Sequence, residues 1–217
     1  MSLEGLARVI ARDRTVAAAV GDARSRRPTL DVTSPPGLRP FLAAALAEGS
    51  GRTLLLVTST YREAEQLTAE VASVIGDDDV AYYPAWETLP HERLSPRSDT
   101  VGRRLAVLRR LVGNDRAPLP RVVVAPVRSV LQPQVRGLGF MTPVTITVGD
   151  DLDLGDLARS LVDAAYTRVD LVERRGEFAV RGGILDVFPP TEEHPVRVDF
   201  FGDTVDEIRV FQVADQR

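Results

Sequence analysis

The first stretch with a composition suited to chemistry is the loop at residues 34–39 (SPPGLR), which lies between a predicted strand and a predicted helix. Nucleotide-binding folds hold phosphate at such a junction with backbone N–H groups and a Lys side chain. This loop has one Gly, two prolines without an amide hydrogen and no Lys, and the 27 basic residues of the chain are all Arg. The sequence therefore predicts a strand-to-helix turn that binds no nucleotide. It excludes a Walker-type loop and lysine Schiff-base chemistry.

A second candidate is an acidic set beside a histidine, Glu87, His91, Glu92 and Asp99, in a proline-rich segment. A carboxylate and an imidazole could exchange protons, but no nucleophile or third orienting group accompanies them. We predict solvated or ion-paired side chains here. The chain has no Cys and two His, which leaves little material for a zinc site or a histidine-driven hydrolase.

The third candidate is a predicted helix that carries Arg103, Arg104, Arg109 and Arg110. These arginines spread around the polar side of the helix, so a solvated face is the favoured interpretation. A contact with a partner or with nucleic acid is the alternative. The net charge of −4 gives no support for nucleic-acid binding by the chain as a whole.

The elements that must position these residues fall into two groups. At 217 residues the chain corresponds to one large domain or two small ones.

Apolar stretches long enough to span a membrane are absent, and the first residues are too charged for a signal peptide, so we expect a cytoplasmic protein without a membrane partner.

Strands and helices alternate in the first part of the chain, which predicts a doubly wound α/β sheet. Continuous apolar runs indicate buried parallel strands, and apolar residues three and four apart indicate helices. The predicted helices are 1–28, 40–47, 61–75 and 99–112, the last with Val101, Leu105, Leu108 and Leu111 inward, and the predicted strands are 29–34, 53–57, 80–83 and 121–125.

The second part is predicted to be α+β with a mainly antiparallel sheet, because polar alternation and tight turns replace the continuous apolar runs. We place the boundary between residues 131 and 132. The predicted elements are one helix at 154–165 and strands at 144–148, 168–173, 177–181, 184–188, 196–200 and 207–213, with a hairpin turn at 201–203.

A fourth candidate is the segment 166–190 (YTRVDLVERRGEFAVRGGILDVFPP). Alternation places Phe178 and Val180 on one face of a strand, and Ala179 and Arg181 on the other. Arg and aromatic side chains are common anchors of protein interfaces. From the residues alone, ordinary strand residues remain the favoured interpretation, with an interface as the alternative.

Four segments resemble the N-terminal region of the bacterial transcription-repair coupling factors (Mfd). They are 82–104 (YYPAWETLPHERLSPRSDTVGRR), 122–133 (VVVAPVRSVLQP), 166–190 and 194–217 (HPVRVDFFGDTVDEIRVFQVADQR), and the similarity extends over nearly all of the chain after residue 28. In that family this region is similar to part of the excision-repair protein UvrB. The resemblance implies a degenerate helicase-like (RecA-like) domain 1a at 1–131, without a nucleotide-binding loop, followed by a UvrA-binding domain 2 at 132–217.

The nearest competitor is UvrB itself, an excision-repair helicase whose fragment would bind nucleotide or DNA. UvrB would carry GxxxxGK[ST] where this chain has SPPGLRPF, and an aromatic hairpin that 82–104 does not resemble. Both departures favour the coupling factor.

The function that the resemblance implies is that of a non-catalytic adaptor. Such a fragment would recruit UvrA to stalled RNA polymerase. The ATP- and Mg-dependent DNA translocase, and the sites for RNA polymerase and DNA, would lie beyond residue 217, and the C-terminal part of the parent would mask the UvrA surface. No cofactor or metal is expected in the fragment itself.

The residues that the resemblance assigns to UvrA lie in domain 2. Arg168 and Arg181 match arginines of the UvrB pattern, and a third arginine of that pattern falls on Ala179. Phe188 is the expected apolar neighbour. Weaker candidates are Arg174, Arg175 and Phe178.

Overall fold

The computed structural model describes residues 3–25, 29–88 and 96–214. The chain forms two compact units, one of Met1–Glu92 with Arg104–Phe140 and one of Arg93–Arg103 with Met141–Arg217. The helices are α1 (Glu4–Ala11), α2 (Arg14–Arg24), α3 (Arg39–Ser50), α4 (Tyr61–Ile75), α5 (Ser98–Leu111), α6 (Val127–Leu131) and α7 (Leu154–Asp163). The strands are β1 (Leu54–Thr58), β2 (Val80–Tyr82), β3 (Val122–Pro126), β4 (Thr167–Arg168), β5 (Glu177–Arg181), β6 (Ile184–Val187), β7 (Val196–Phe201) and β8 (Thr204–Val210).

The first unit contains a parallel three-stranded sheet in the order β1-β3-β2. The central strand β3 is buried along its whole length, and Val122 pairs with Leu54 on one side and Val80 on the other. Helices α3 and α4 pack their small and branched residues against one face, with Ala43, Ala64, Val71 and Val124 in the core. The predicted α/β class is confirmed, while the helicase-like assignment stays a prediction.

Two predictions at the start of the chain are wrong. The single helix expected over 1–28 is divided, because the Asp13 side chain accepts hydrogen bonds from the amides of Thr15 and Val16 and begins α2 there. Residues 29–34 form no regular element and pair with no strand of the described chain. Leu30 and Val32 are exposed, so this segment lacks the neighbour that would make it a buried strand.

Helix α5 does not present the expected face to the core of the first unit. Leu111, predicted inward, is 39% exposed, whereas Arg104, predicted on the solvated side, is only 1% exposed. Val107 lies one turn beyond Arg104 and packs against the sheet residues Ala81 and Val123. The helix is therefore rotated relative to its apolar pattern so that an arginine faces inward.

The second unit contains a five-stranded mixed sheet in the order β4-β5-β6-β7-β8. The pair β4–β5 is parallel and the other three pairs are antiparallel, in agreement with a mainly antiparallel sheet. Helix α7 covers one face, where Leu157 and Leu161 pack against Phe178, Leu185 and Val198. The hairpin turn between β7 and β8 is confirmed, and Gly202 adopts a left-handed φ of 65° there.

Strand predictions in this unit need three corrections. Residues 144–148 form no strand; Val144 and Ile146 pack beside α7 instead. The strand expected at 168–173 is reduced to Thr167–Arg168, because its pairing with β5 stops at Phe178. Strand β8 occupies Thr204–Val210 rather than 207–213, since the tight turn at Gly202 starts its pairing with β7 at once.

Candidate functional site

The β5 strand carries its alternate residues on opposite faces of the sheet, as the sequence predicts. Phe178 is fully buried beneath α7 and Val180 packs beside it. Ala179 and Arg181 point to the other face, where Ala179 lies directly opposite Asp186 on β6. The two faces therefore differ in chemistry: one is an apolar core, and the other carries charge beside a smaller apolar cluster that includes Ala179.

The charged face is organised by a row of ion pairs that crosses four strands, here called the ion-pair ladder. It consists of Arg181 on β5, Asp186 on β6, Arg197 and Asp199 on β7, and Glu207 and Arg209 on β8. Arg181 Nη2 lies 2.6 Å from Asp186 Oδ2, and Arg209 Nη1 lies 2.7 Å from Asp199 Oδ2. Opposite charges on neighbouring strands stabilise a sheet face of this kind.

Asp186 is the buried centre of the ladder, with 1% of its surface exposed. Arg197 donates from Nε to Oδ1 at 2.6 Å and from Nη2 to Oδ2 at 2.9 Å. Burial alone would raise the pKa of Asp186, but the hydrogen bonds from Arg197 and Arg181 outweigh it and lower that pKa below its usual value. The carboxylate stays charged at neutral pH, and the pKa of Arg197 is raised in return.

Arg168 and Arg181 are brought together at the open end of the β5 edge. Both line a shallow hollow with Val169, Asp170 and Val180. Arg168 is exposed, and in the described part of the chain it has neither an ion pair nor a side-chain hydrogen bond. Arg181 is 48% exposed and its one ion pair among the described residues is to Asp186. Both guanidinium groups can therefore donate hydrogen bonds to a carboxylate from outside.

Phe188 lies in the interior rather than at the surface. It is 6% exposed and packs with Val172 and Ala179. The Arg175 guanidinium stands 5.1 Å from the centre of its ring, and Arg175 Nε donates to the Glu192 carbonyl at 2.8 Å. A partner that approached the Phe188 ring would therefore also meet the Arg175 side chain.

The two remaining candidates are separated from the hollow in different ways. Phe178 is at the centre of the core under α7. Arg174 is exposed in the turn before β5, where its amide donates to Glu177 Oε2 at 2.8 Å. Neither lines the hollow that Arg168 and Arg181 share.

The arginines of α5 do not form one solvated face. Arg103 is exposed, whereas Arg109 pairs with Asp115 at 2.8 Å and Arg110 Nε donates to the Pro118 carbonyl at 2.8 Å. Arg104 lies between the rings of Tyr83 and Trp86, 4.2 Å from each ring centre. Of the four arginines, Arg103 is the one that makes no ion pair, side-chain hydrogen bond or ring contact with the described residues.

The loop at 34–39 forms a short 3-10 turn, Pro36–Leu38, that leads into α3, and Arg39 pairs with Glu63 at 3.2 Å. His91 and Glu92 lie outside the described residues; Asp99 pairs with Arg97 at 3.3 Å. Among residues 3–25, 29–88 and 96–214, no group of three or more His, Asp or Glu side chains is placed to hold a metal ion. In the same ranges, no helix combines the length and apolarity needed to cross a membrane.

Comparison with known proteins places the ladder and the hollow in a named domain. Residues 144–217 match the family described as the UvrB interaction domain. The transcription-repair-coupling factor of Mycobacterium tuberculosis is 56% identical over 198 residues, which are 90% of this chain and 16% of that protein. Those of Bacillus subtilis and Escherichia coli are each 35% identical, over 82% and 81% of this chain and 15% of each relative.

This chain belongs to the transcription-repair-coupling factor family. The resemblance found in the sequence is thereby confirmed. The chain spans about a sixth of the length of these coupling factors. The UvrB interaction domain of this family member contains α7, the five-stranded sheet and the ladder, so Arg168 and Arg181 both lie inside it.

Sequence reasoning missed Asp186 and Arg197. The available signal was Asp186 itself, because an acid within the apolar run ILDVF is expected to be buried. A buried carboxylate requires a charged or hydrogen-bonding partner, so the sequence indicated that a partner exists. Its partner could not be chosen from sequence, since Arg197 is eleven residues away and meets it through strand register.

Proposed function

We propose that this chain is a non-catalytic adaptor of a transcription-repair coupling factor and that its second unit recruits UvrA. The observation that carries the proposal is the hollow at the β5 edge, which the exposed Arg168 and Arg181 line together with Val180. Its support is the match of this unit to the UvrB interaction domain. A coupling factor that offers UvrA a UvrB-like surface would bring it to a stalled RNA polymerase.

The contact we propose is electrostatic at its centre. Arg168 and Arg181 would each bind a carboxylate of UvrA with paired N–H donors, and desolvation at the interface would strengthen both pairs. Arg175, which rests on Phe188, and Arg174 would lie at the rim. Phe188 would act from beneath by fixing Arg175, and Phe178 by keeping β5 in place.

The remaining activities are proposed for the longer protein. DNA translocation driven by ATP and Mg, and contacts with RNA polymerase and DNA, would belong to parts outside these 217 residues. The fragment itself would need no cofactor and would act in the cytoplasm. The rest of the protein would cover the UvrA surface until the motor engages, so the isolated chain should bind UvrA without activation.

The test is the affinity of the purified chain for purified UvrA, measured by calorimetry on wild type and on the double variant Arg168→Ala, Arg181→Ala. Truncation of a true interface anchor costs about 2 kcal/mol, so the double variant should lose binding at the concentrations used. Arg209→Ala is the matched control, because Arg209 is also half-exposed and ion-paired on this sheet but lies on β8, the opposite edge strand.

Each outcome is informative. Binding by wild type and by Arg209→Ala, with loss in the double variant, supports the adaptor and its site. Equal binding by all three would retain UvrA as partner and reject the two arginines. Absence of binding by wild type would reject recruitment by this chain.

A further inference from the structure

Asp186 connects the buried part of the ladder with the exposed arginine of the hollow. It lies on β6, between Ala179 of β5 and Arg197 of β7 in the sheet register. The small Ala179 side chain leaves the carboxylate open toward β5, where Arg181 reaches it from two residues farther along the strand. The carboxylate is thus shared between a partly exposed arginine and a nearly buried one.

The two arginines use this carboxylate differently. Arg197 occupies both oxygens and has a side chain that is 15% exposed, with its guanidinium 4.9 Å from the ring centre of Phe211. Arg181 makes a single hydrogen bond through Nη2 to Oδ2. Arg197 therefore neutralises the buried charge, and Arg181 keeps its other N–H groups for an external acceptor.

We infer that Asp186 is a positioning residue for partner binding, which holds the Arg181 guanidinium at the hollow before the partner arrives. This inference rests on the proposed function, because it assigns Arg181 to the contact with UvrA. An arginine side chain has many rotamers, and fixing them in advance removes a cost that binding would otherwise carry. Arg168, on the other side of the hollow, has no such support among the described residues.

The first test uses the wild-type chain alone. Nitrogen-15 relaxation of the arginine Nε–H groups measures how far each guanidinium is ordered. Arg181 should be markedly more ordered than Arg168, its internal reference in the same hollow. Equal mobility of the two would overturn the inference, whether or not UvrA binds.

The second test is a double-mutant cycle in UvrA affinity. Asp186→Asn should weaken binding by about 2- to 10-fold, which corresponds to ordering one long side chain. In the Arg181→Ala background the same substitution should have no further effect, because Asp186 acts through Arg181. Asp199→Asn is the matched control, since it removes a ladder carboxylate that pairs with Arg209 instead.

The outcomes separate the inference from the proposed function. If Arg181→Ala weakens binding and Asp186→Asn weakens it equally in both backgrounds, the adaptor function stands and positioning is rejected. Loss of the Arg181 order in Asp186→Asn but not in Asp199→Asn supports positioning. If Arg181→Ala leaves UvrA affinity unchanged, the proposed contact and the inference both fail.

Discussion

Arg197 donates two hydrogen bonds to the buried carboxylate of Asp186, one to each oxygen, at 2.6 and 2.9 Å. This ion pair lies at the centre of the sheet face that carries Arg181. A bidentate pair of this kind fixes both the distance and the orientation of the two groups. Its consequences for stability can be measured separately from binding.

We expect an acid-sensitive contribution from Asp186 to the free energy of unfolding. The pKa of Asp186 is lower in the folded than in the unfolded chain, so the group stabilises the fold above its usual pKa of 3.8 and loses this effect as pH falls through the folded value. Asp186→Asn should cost about 3 kcal/mol at neutral pH, because Arg197 loses its charged acceptor there. Urea unfolding of wild type and variant between neutral pH and pH 3 should show this difference shrinking below about pH 4. A difference that stayed constant with pH would contradict the prediction.

Arg104 should resist replacement by lysine more than by methionine. Its planar guanidinium stacks between Tyr83 and Trp86, and among the described residues its Nε and Nη2 have no hydrogen-bond partner. Burial lowers the pKa of Arg104 and raises that of Tyr83. An ammonium cannot stack on both rings, so Arg104→Lys should destabilise the fold by about 2 kcal/mol, and Arg104→Met by less because no charge remains buried.

The fluorescence of Trp86 reports on this site directly, because it is the one Trp in the sequence. The urea unfolding transition followed by this fluorescence should move to a lower urea concentration in Arg104→Lys. Arg103→Lys is the control, since Arg103 is exposed on the same helix, and its effect should stay within about 0.5 kcal/mol. A Met variant less stable than the Lys variant would show that the guanidinium charge itself is stabilising.

Substitution of Phe188 should reveal a structural role first. The side chain is buried against Val172 and Ala179, so Phe188→Ala should cost about 3 kcal/mol through the cavity it leaves. Phe188→Leu keeps most of the volume and should cost about 1 kcal/mol. We expect the Leu variant to bind UvrA nearly as tightly as wild type, because Phe188 acts from beneath Arg175. A large loss of affinity in a folded Leu variant would instead identify the ring as a direct contact.

Nucleotide should leave the thermal stability of the chain unchanged. The loop that precedes α3 contains Pro35 and Pro36, and the chain has no lysine to contact a phosphate. A bound ligand raises the melting temperature according to its concentration relative to Kd. Melting in the presence and absence of millimolar ATP and Mg²⁺ should therefore give superimposable curves. A concentration-dependent rise would reveal a nucleotide site.

Much of the fold follows from local pattern. The apolar spacing of α4 and the continuous apolar run of β3 each admit one buried arrangement, and both elements lie where the sequence predicts them. The two-residue period of a strand likewise places Phe178 and Arg181 of β5 on opposite faces. Resemblance to the coupling factors then selected Arg168 and Arg181 from the other arginines.

The strand predicted at 29–34 is wrong, because a strand depends on a neighbour that its own residues do not specify. The inward rotation of Arg104 depends on two aromatic rings about twenty residues earlier in the chain. The sequence by itself therefore determined that no lysine is present to contact a phosphate. It also determined the elements whose apolar periodicity is clear. The meeting of Asp186 with Arg197, the convergence of Arg168 and Arg181, and the burial of Phe188 were decided by tertiary structure, since strand register brings together side chains that no local rule connects.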